Sequence, residues 1–310
     1  MKTTRWIEQS PRLLAWYRAS RPRTLTAAYV PLALAAVIAL DAGVFDLVRF
    51  LLSLVGALAL QIGANLVNEY FDYRRGADAL KVAGQGMVIK QQVLTPEQVF
   101  AGAVVSVGSG VILGLILLVA SGPLLFWIGL GGVLVVITYT AGPFPLAYNG
   151  LGEAAVFIFM GPLMVLGAYY AMSGGQTSET PVLAALPVAF LVAAIMLANN
   201  IRDVDADRAA NKRTLAVIFG RRFAQAGYIF LVGGAYVALA LLTLAGVIPW
   251  PGLIAFLTLP EAARLMRIVT TSTDTPLLHL AQGRTARLHR DFGLLLAVGW
   301  LVYLLLRGPG

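Results

Sequence analysis

Two short stretches hold most of the residues able to do chemistry. NEYFDYRRGAD at 68 to 78 contributes Glu69, Asp72 and Asp78, and NNIRDVDADRAANKRT at 199 to 214 contributes Asp203, Asp205 and Asp207, out of only 15 acids in 310 residues. On a helix, residues four apart share a face. Asn68 with Asp72, and Asn199 with Asp203 and Asp207, therefore each project a polar edge, and the two edges make one acidic cluster if the helix ends meet. Glu69 and Asp205 fall off those faces. Carboxylates gathered at membrane depth are costly and carry function, and several together require cations. Hard oxygen ligands from two sides suit Mg²⁺, which holds few carboxylates, keeps waters and completes its octahedron on phosphate oxygens. The expected substrate is a phosphate or diphosphate ester. A solvated loop face paired with Arg74, Arg75, Arg202 and Arg208 is the alternative.

Cations interleave with the acids: Arg21 and Arg23 ahead of the first apolar run, Arg74, Arg75, Lys81 and Lys90 after the first motif, Lys212 and Arg213 after the second. They suit a clamp on diphosphate oxygens as charge develops on a leaving group, or simple anchoring at a membrane surface. Lys90 and Lys212 lie in the best motif contexts. In YTAGPFPLAYNGLGE at 139 to 153, Pro143 and Pro145 break the helix and leave Tyr139 and Tyr148 at a turn. Such a turn fits an acceptor pocket or a shield for an allylic cation by cation–π attraction. Tyrosines of an interfacial belt are the competing reading.

The elements that position these motifs belong in a bilayer. The chain is 59% apolar and 12% charged, with mean hydropathy +0.80, against roughly a quarter charged in soluble domains. Apolar runs near spanning length fall at 24–40, 50–68, 98–120, 123–141, 154–172, 181–198, 223–246, 247–260 and 288–306, where a span needs about 20 residues. The eighth is short and carries Pro249, Pro251 and Pro260. The expectation is an all-α integral membrane protein of about nine transmembrane helices, a single domain over residues 1–310. With a cytoplasmic N-terminus, every cation except Arg49 and Arg307 falls on the cytoplasmic side, following the positive-inside rule. The net charge of +8 is thus topological, and nucleic-acid binding is excluded. Five arginines precede the first apolar run and further runs follow it, so a cleaved secretory signal is not expected. Without cysteine, and with only His279 and His289, thiolate and His-rich metal sites drop out. Spacing four recurs in both acidic motifs, a faint repeat with a unit of about four helices.

At these stretches the sequence resembles the UbiA superfamily of intramembrane aromatic prenyltransferases, most closely its 1,4-dihydroxy-2-naphthoate polyprenyltransferase branch. RPRTL at 21–25, ANLVNEYFDYRRGAD at 64–78, YTAGPFPLAYNGLGE at 139–153, NNIRDVDADRAANKRTLAVIFGR at 199–221 and TARLHRDFGLLLAVG at 285–299 carry the resemblance. It implies nine helices around a central cavity, two Asp-rich motifs holding Mg²⁺ and a prenyl diphosphate, and a lateral opening to membrane lipid for the tail. Asn68, Asp72 and Asp78 match the first motif, Asp203 and Asp207 the second. The catalytic set it implies is Asn68, Asp72, Asp78, Asp203, Asp207 and Tyr139, with Asp72, Asp78, Asp203 and Asp207 as the metal ligands and Arg21, Lys90, Asn199, Lys212 and Tyr148 binding substrate. Two positions depart from the pattern: Glu69 where the family has Asp, and Asn149 where a basic residue is expected. The implied reaction prenylates an aromatic quinone precursor at the cytoplasmic face of the cell membrane.

Other acceptors, such as 4-hydroxybenzoate, homogentisate or chlorophyllide, stay open. A secondary transporter is the rival of a different class, with acids and broken helices near mid-membrane as its signature. A non-catalytic scaffold gives no reason for the clustered acids.

Overall fold

The computed structural model describes residues 11–78 and 86–308; Lys2, Arg5 and Lys81 lie outside the described residues. Among these residues there is no strand, and one isolated parallel bridge joins Asn149 to Arg213. A short helix α1 (Pro11–Ala19) leads through a 3-10 turn into α2 (Thr26–Asp41), and the two together bend by 53°. Then follow α3 (Leu47–Arg74), α4 (Pro96–Ser121), α5 (Pro123–Thr138), and the pair α6 (Gly152–Phe159) and α7 (Pro162–Met172). The second half holds α8 (Thr180–Ala184), α9 (Leu186–Arg202), α10 (Val204–Ala209), α11 (Leu215–Ile218), α12 (Arg221–Leu244), α13 (Leu259–Thr271) and α14 (Thr275–Arg307).

Long helices start where the sequence supplies caps. Asp46 accepts from the Arg49 N–H at 2.9 Å ahead of α3, Asp274 does the same for Leu277 ahead of α14, and Thr95 with Gln98 forms a capping box ahead of α4. Six helical stretches among the described residues are long and apolar enough to cross a bilayer, or seven with the bent pair counted as one. Length and composition thus support fewer spans than the nine expected. At 16 residues α5 falls short of a straight span. The eighth apolar run becomes a 3-10 helix, Trp250–Thr258, continued by α13. Pro249 and Pro251 stand at its start, where a missing N–H costs no intrahelical bond.

Large apolar side chains lie bare on the outside, with Val119 91%, Leu244 85% and Leu305 82% exposed. A surface of this kind is solvated by lipid tails, and the chain is a multi-pass membrane protein. The interior is also apolar: Leu34, Val188, Leu191, Tyr228, Phe292 and Trp300 join one core cluster. Helices α3 and α4 approach closely through glycine, since a Cβ on Gly63 would lie 2.6 Å from Val107 Cγ2 and one on Gly110 2.6 Å from Leu60 Cγ.

Helix direction sorts the charges. Arg49 pairs with Asp46 at the start of α3, and Arg307 with Asp41 where α14 and α2 end, at 3.6 Å each. The first acidic motif sits at the other end of α3, and the second at the C-terminal end of α9. At 33 residues, or about 50 Å, α14 exceeds a hydrocarbon core of roughly 30 Å. Its first turns project toward the acidic end and bring His279 and Gln282 there.

Candidate functional site

One cavity of about 500 Å³ runs from the acidic motifs into the apolar interior, bounded mainly by α3, α4, α5, α7 and α9. Arg21, Asn68, Asp72, Asp78, Asn199 and Asp203 line its polar end with Lys212, and the rest is largely aliphatic, with Tyr139 among its lining residues. A single chamber therefore offers charge to a head group and hydrocarbon to a tail.

Helix α3 ends just past Asp72, which is 1% exposed. Tyr148 donates its hydroxyl to Asp72 Oδ1 at 2.8 Å, Asn68 Nδ2 donates to Oδ2 at 3.5 Å, and Lys212 Nζ stands 3.6 Å from Oδ2. Burial first, then the Asp72 charge, pushes the Tyr148 phenol far above its ordinary range, so it remains a proton donor at any physiological pH. Arg75 and Lys212 face its ring, 4.9 and 5.2 Å from the centroid. Tyr148 is not among the cavity's lining residues. Two protein cations already hold its ring, and its hydroxyl is bound to Asp72. Tyr139 is the tyrosine that lines the cavity.

The second motif does not form one continuous helix. Helix α9 stops at Arg202, Asp203 sits at the break with φ −95° and ψ 8°, and Asp207 belongs to the short α10. The spacing of four survives because the Asp207 N–H still donates to the Asp203 carbonyl at 2.8 Å. Arg202 closes a bidentate pair on its neighbour Asp203, and it also donates to Asn199 Oδ1 at 2.8 Å and Gln282 Oε1 at 2.9 Å. Asp207 is fully buried 3.9 Å from Lys212 Nζ, so Lys212 bridges the two motifs.

Glu69 has a different place. It is 1% exposed, its carboxylate accepts from the N–H groups of Met87 at 2.9 Å and Val88 at 2.5 Å, and Arg21 lies 3.5 Å away. The loop beyond 85 is thereby tied to α3. Gly86, at φ +81°, is required there, because a Cβ would collide with Glu69 Oε2. Arg21, itself at φ 52°, also donates to Asn68 Oδ1 at 2.8 Å, which joins this anchor to the site. Asp205, the other acid off the shared face, has a side chain 80% exposed and pairs with Arg221 and Arg208. Lys90 is exposed and is not among the cavity's lining residues. Asn149 donates to the Pro145 carbonyl at 2.8 Å and bridges to Arg213, closing the turn.

Among the described residues no three carboxylates or histidines gather tightly enough to cage a metal by themselves. A two-sided acidic cleft nevertheless has the donor set for Mg²⁺, which takes one or two carboxylates and fills its remaining positions with water and phosphate. Sequence reasoning passed over Glu153, Asn200 and Gln282. Glu153 closes the quoted turn motif and Asn200 directly follows Asn199, so adjacency to those motifs was the available signal.

The model of the UbiA prenyltransferase family matches residues 29–278. The chain is 33% identical over 287 residues to the 1,4-dihydroxy-2-naphthoate octaprenyltransferase of Bacillus subtilis (strain 168), covering 92% of each chain. It is 32% identical to the enzyme of the same name from Escherichia coli (strain K12), over 86% of this chain and 88% of that one. In fold it is similar to a UbiA homolog from Archaeoglobus fulgidus bound to DMAPP and Mg²⁺, with TM-score 0.63 and 17% identity over 91% of this chain and 99% of that one.

Proposed function

The chain belongs to the UbiA prenyltransferase family, and on that premise we propose that it transfers a polyprenyl group from a prenyl diphosphate to 1,4-dihydroxy-2-naphthoate, as in menaquinone biosynthesis. The reading is carried by one observation: a single cavity joins a buried cluster of acids and cations to a long apolar chamber. Transfer needs both, one for the diphosphate and one for the hydrocarbon. The acidic end faces the cytoplasm of the cell membrane, and residues 1–310 act as one membrane domain.

Asp72, Asp78, Asp203 and Asp207 hold Mg²⁺ in this reading, and when bound it supplies charge neutralisation and Lewis acidity at the diphosphate. Arg21, Lys212 and Arg202 donate to phosphate oxygens and stabilise negative charge as the allylic carbon–oxygen bond breaks. Lys212 must release Asp72 and Asp207 as it does so. Asn68 and Asn199 orient the two motifs, and Tyr148 keeps Asp72 aligned. Lys90 contributes a peripheral positive charge. The aliphatic walls exclude water from the allylic cation and bring the ring close enough to attack. The new carbon–carbon bond forms at the ring, the carboxylate leaves as CO₂, and aromaticity returns. Asp46 caps α3 and Asp41 pairs with Arg307 at the opposite helix ends, and among the described residues the site acids cluster at one end of the spans, which favours transfer over transport.

The test is product analysis by mass spectrometry. Purified protein in nanodiscs with 1,4-dihydroxy-2-naphthoate, geranylgeranyl diphosphate and Mg²⁺ is expected to yield a demethylmenaquinone-type product that disappears with EDTA. Absence of product across a panel of aromatic acceptors would sink the proposal.

A further inference from the structure

Beside the loop anchor Glu69, one buried acid among the described residues, Glu153, is left unused by the mechanism above. Glu153 lies in the first turn of α6 and is 6% exposed. Its Oε1 accepts from Asn200 Nδ2 at 2.7 Å, while its Oε2 is buried with no hydrogen-bond partner. Asn200 is 4% exposed and lines the cavity. One N–H of its amide is held by Glu153 Oε1, which fixes the amide's orientation and leaves Oδ1 as the acceptor it can offer to a molecule inside. Tyr139 borders the same place: a Cβ on Gly152 would lie 3.0 Å from its hydroxyl, which donates only to the thioether of Met196 at 3.1 Å, a weak acceptor. Asn200 is also the residue after Asn199, so this corner lies where the charged head of the cavity passes into its apolar part.

A buried carboxylate and amide are costly unless their hydrogen bonds are completed. Helix packing alone gives no reason for a Glu–Asn pair behind an otherwise apolar wall. We propose that Asn200 reads a hydroxyl of the aromatic acceptor through its Oδ1, and that Glu153 is the positioning residue that fixes the Asn200 amide in that orientation. Turned over, the same amide would lose its bond to Glu153 and present N–H donors, so it could no longer accept the proton of a hydroxyl. The pair thus sets acceptor specificity, whereas the acidic motifs handle the diphosphate. This inference rests on the prenyl-transfer reading and concerns which ring is accepted.

The experiment compares wild type, Glu153→Ala, Glu153→Gln, Asn200→Ala and the Glu153→Ala/Asn200→Ala double variant in nanodiscs. Steady-state kinetics are measured with 1,4-dihydroxy-2-naphthoate and with its 1-hydroxy and 4-hydroxy analogues, together with thermal melting and the KM for geranylgeranyl diphosphate. Wild type is expected to prefer the diol over one monohydroxy analogue by roughly ten- to a hundredfold, the range for a hydroxyl matched by a buried acceptor. Glu153→Ala and Asn200→Ala should each erase most of that preference while the KM for the diphosphate stays put, and their effects should not add. Glu153→Gln, which keeps an acceptor for Asn200 Nδ2, should restore part of it. Wild-type discrimination in Glu153→Ala, or equal rises in both KM values, would overturn the inference. A wild type that prenylates no aromatic ring would instead overturn the reading it rests on. Should Glu153→Ala lose its fold, Asn200→Ala carries the test.

Discussion

Glu69 and Asp205 both lie off the face that their motif neighbours share, yet they have opposite fates. Glu69 is sealed under backbone N–H groups of Met87 and Val88 and beside Arg21, whereas Asp205 lies in solvent with two surface arginines. Periodicity says which residues face together and is silent about what covers the other sides. The first motif is followed by a loop that folds back over α3; the second stands on a short helix with its outer face bare. An acid off the catalytic face can therefore be an anchor or a surface charge.

The on-face acids set the upper limit of that comparison. Asp72→Asn or Asp207→Asn is expected to lower turnover by about a thousandfold or more, the scale of losing preorganised charge stabilisation, with the fold retained by circular dichroism; near-wild-type rates in either would refute their assignment. Next comes Glu69→Ala, which strands Arg21 and two buried N–H groups. A stability loss of about 3 kcal/mol fits a broken buried charge network, read as a lower melting temperature and faster proteolysis near residue 86. If Glu69→Ala melts like wild type, the anchor role fails. Tyr148→Phe removes one hydrogen bond to a charged acceptor, costing about 1.5–3 kcal/mol, and should appear mainly as a fall in kcat/KM for prenyl diphosphate. Glu69→Asp restores the family's residue but shortens the arm by one methylene, so its loss should be smaller than that of Glu69→Ala. Smallest is Asp205→Asn, an exposed pair, expected within about 0.5 kcal/mol and without change in rate. An effect as large as that of Glu69→Ala would erase the distinction between the two acids.

The sequence alone determined the membrane character, the helical class, the two acidic motifs and their family, because hydrophobic run length, charge scarcity and spacing four are local properties of the chain. It also marked Tyr139 and Tyr148, though not which would line the cavity. Only the tertiary structure decided that Tyr148 bonds Asp72 through its hydroxyl, that Lys212 bridges Asp72 and Asp207, which are far apart in the chain, and that Asn200 is held by Glu153. It decided as well that the proline-rich eighth run coils into a 3-10 helix and that Lys90 stays outside the cavity. The physical reason is the same in each case. Local pattern fixes which face of a helix is polar, but burial, hydrogen-bond partners and the covering of an off-face acid depend on segments distant in sequence that pack against it.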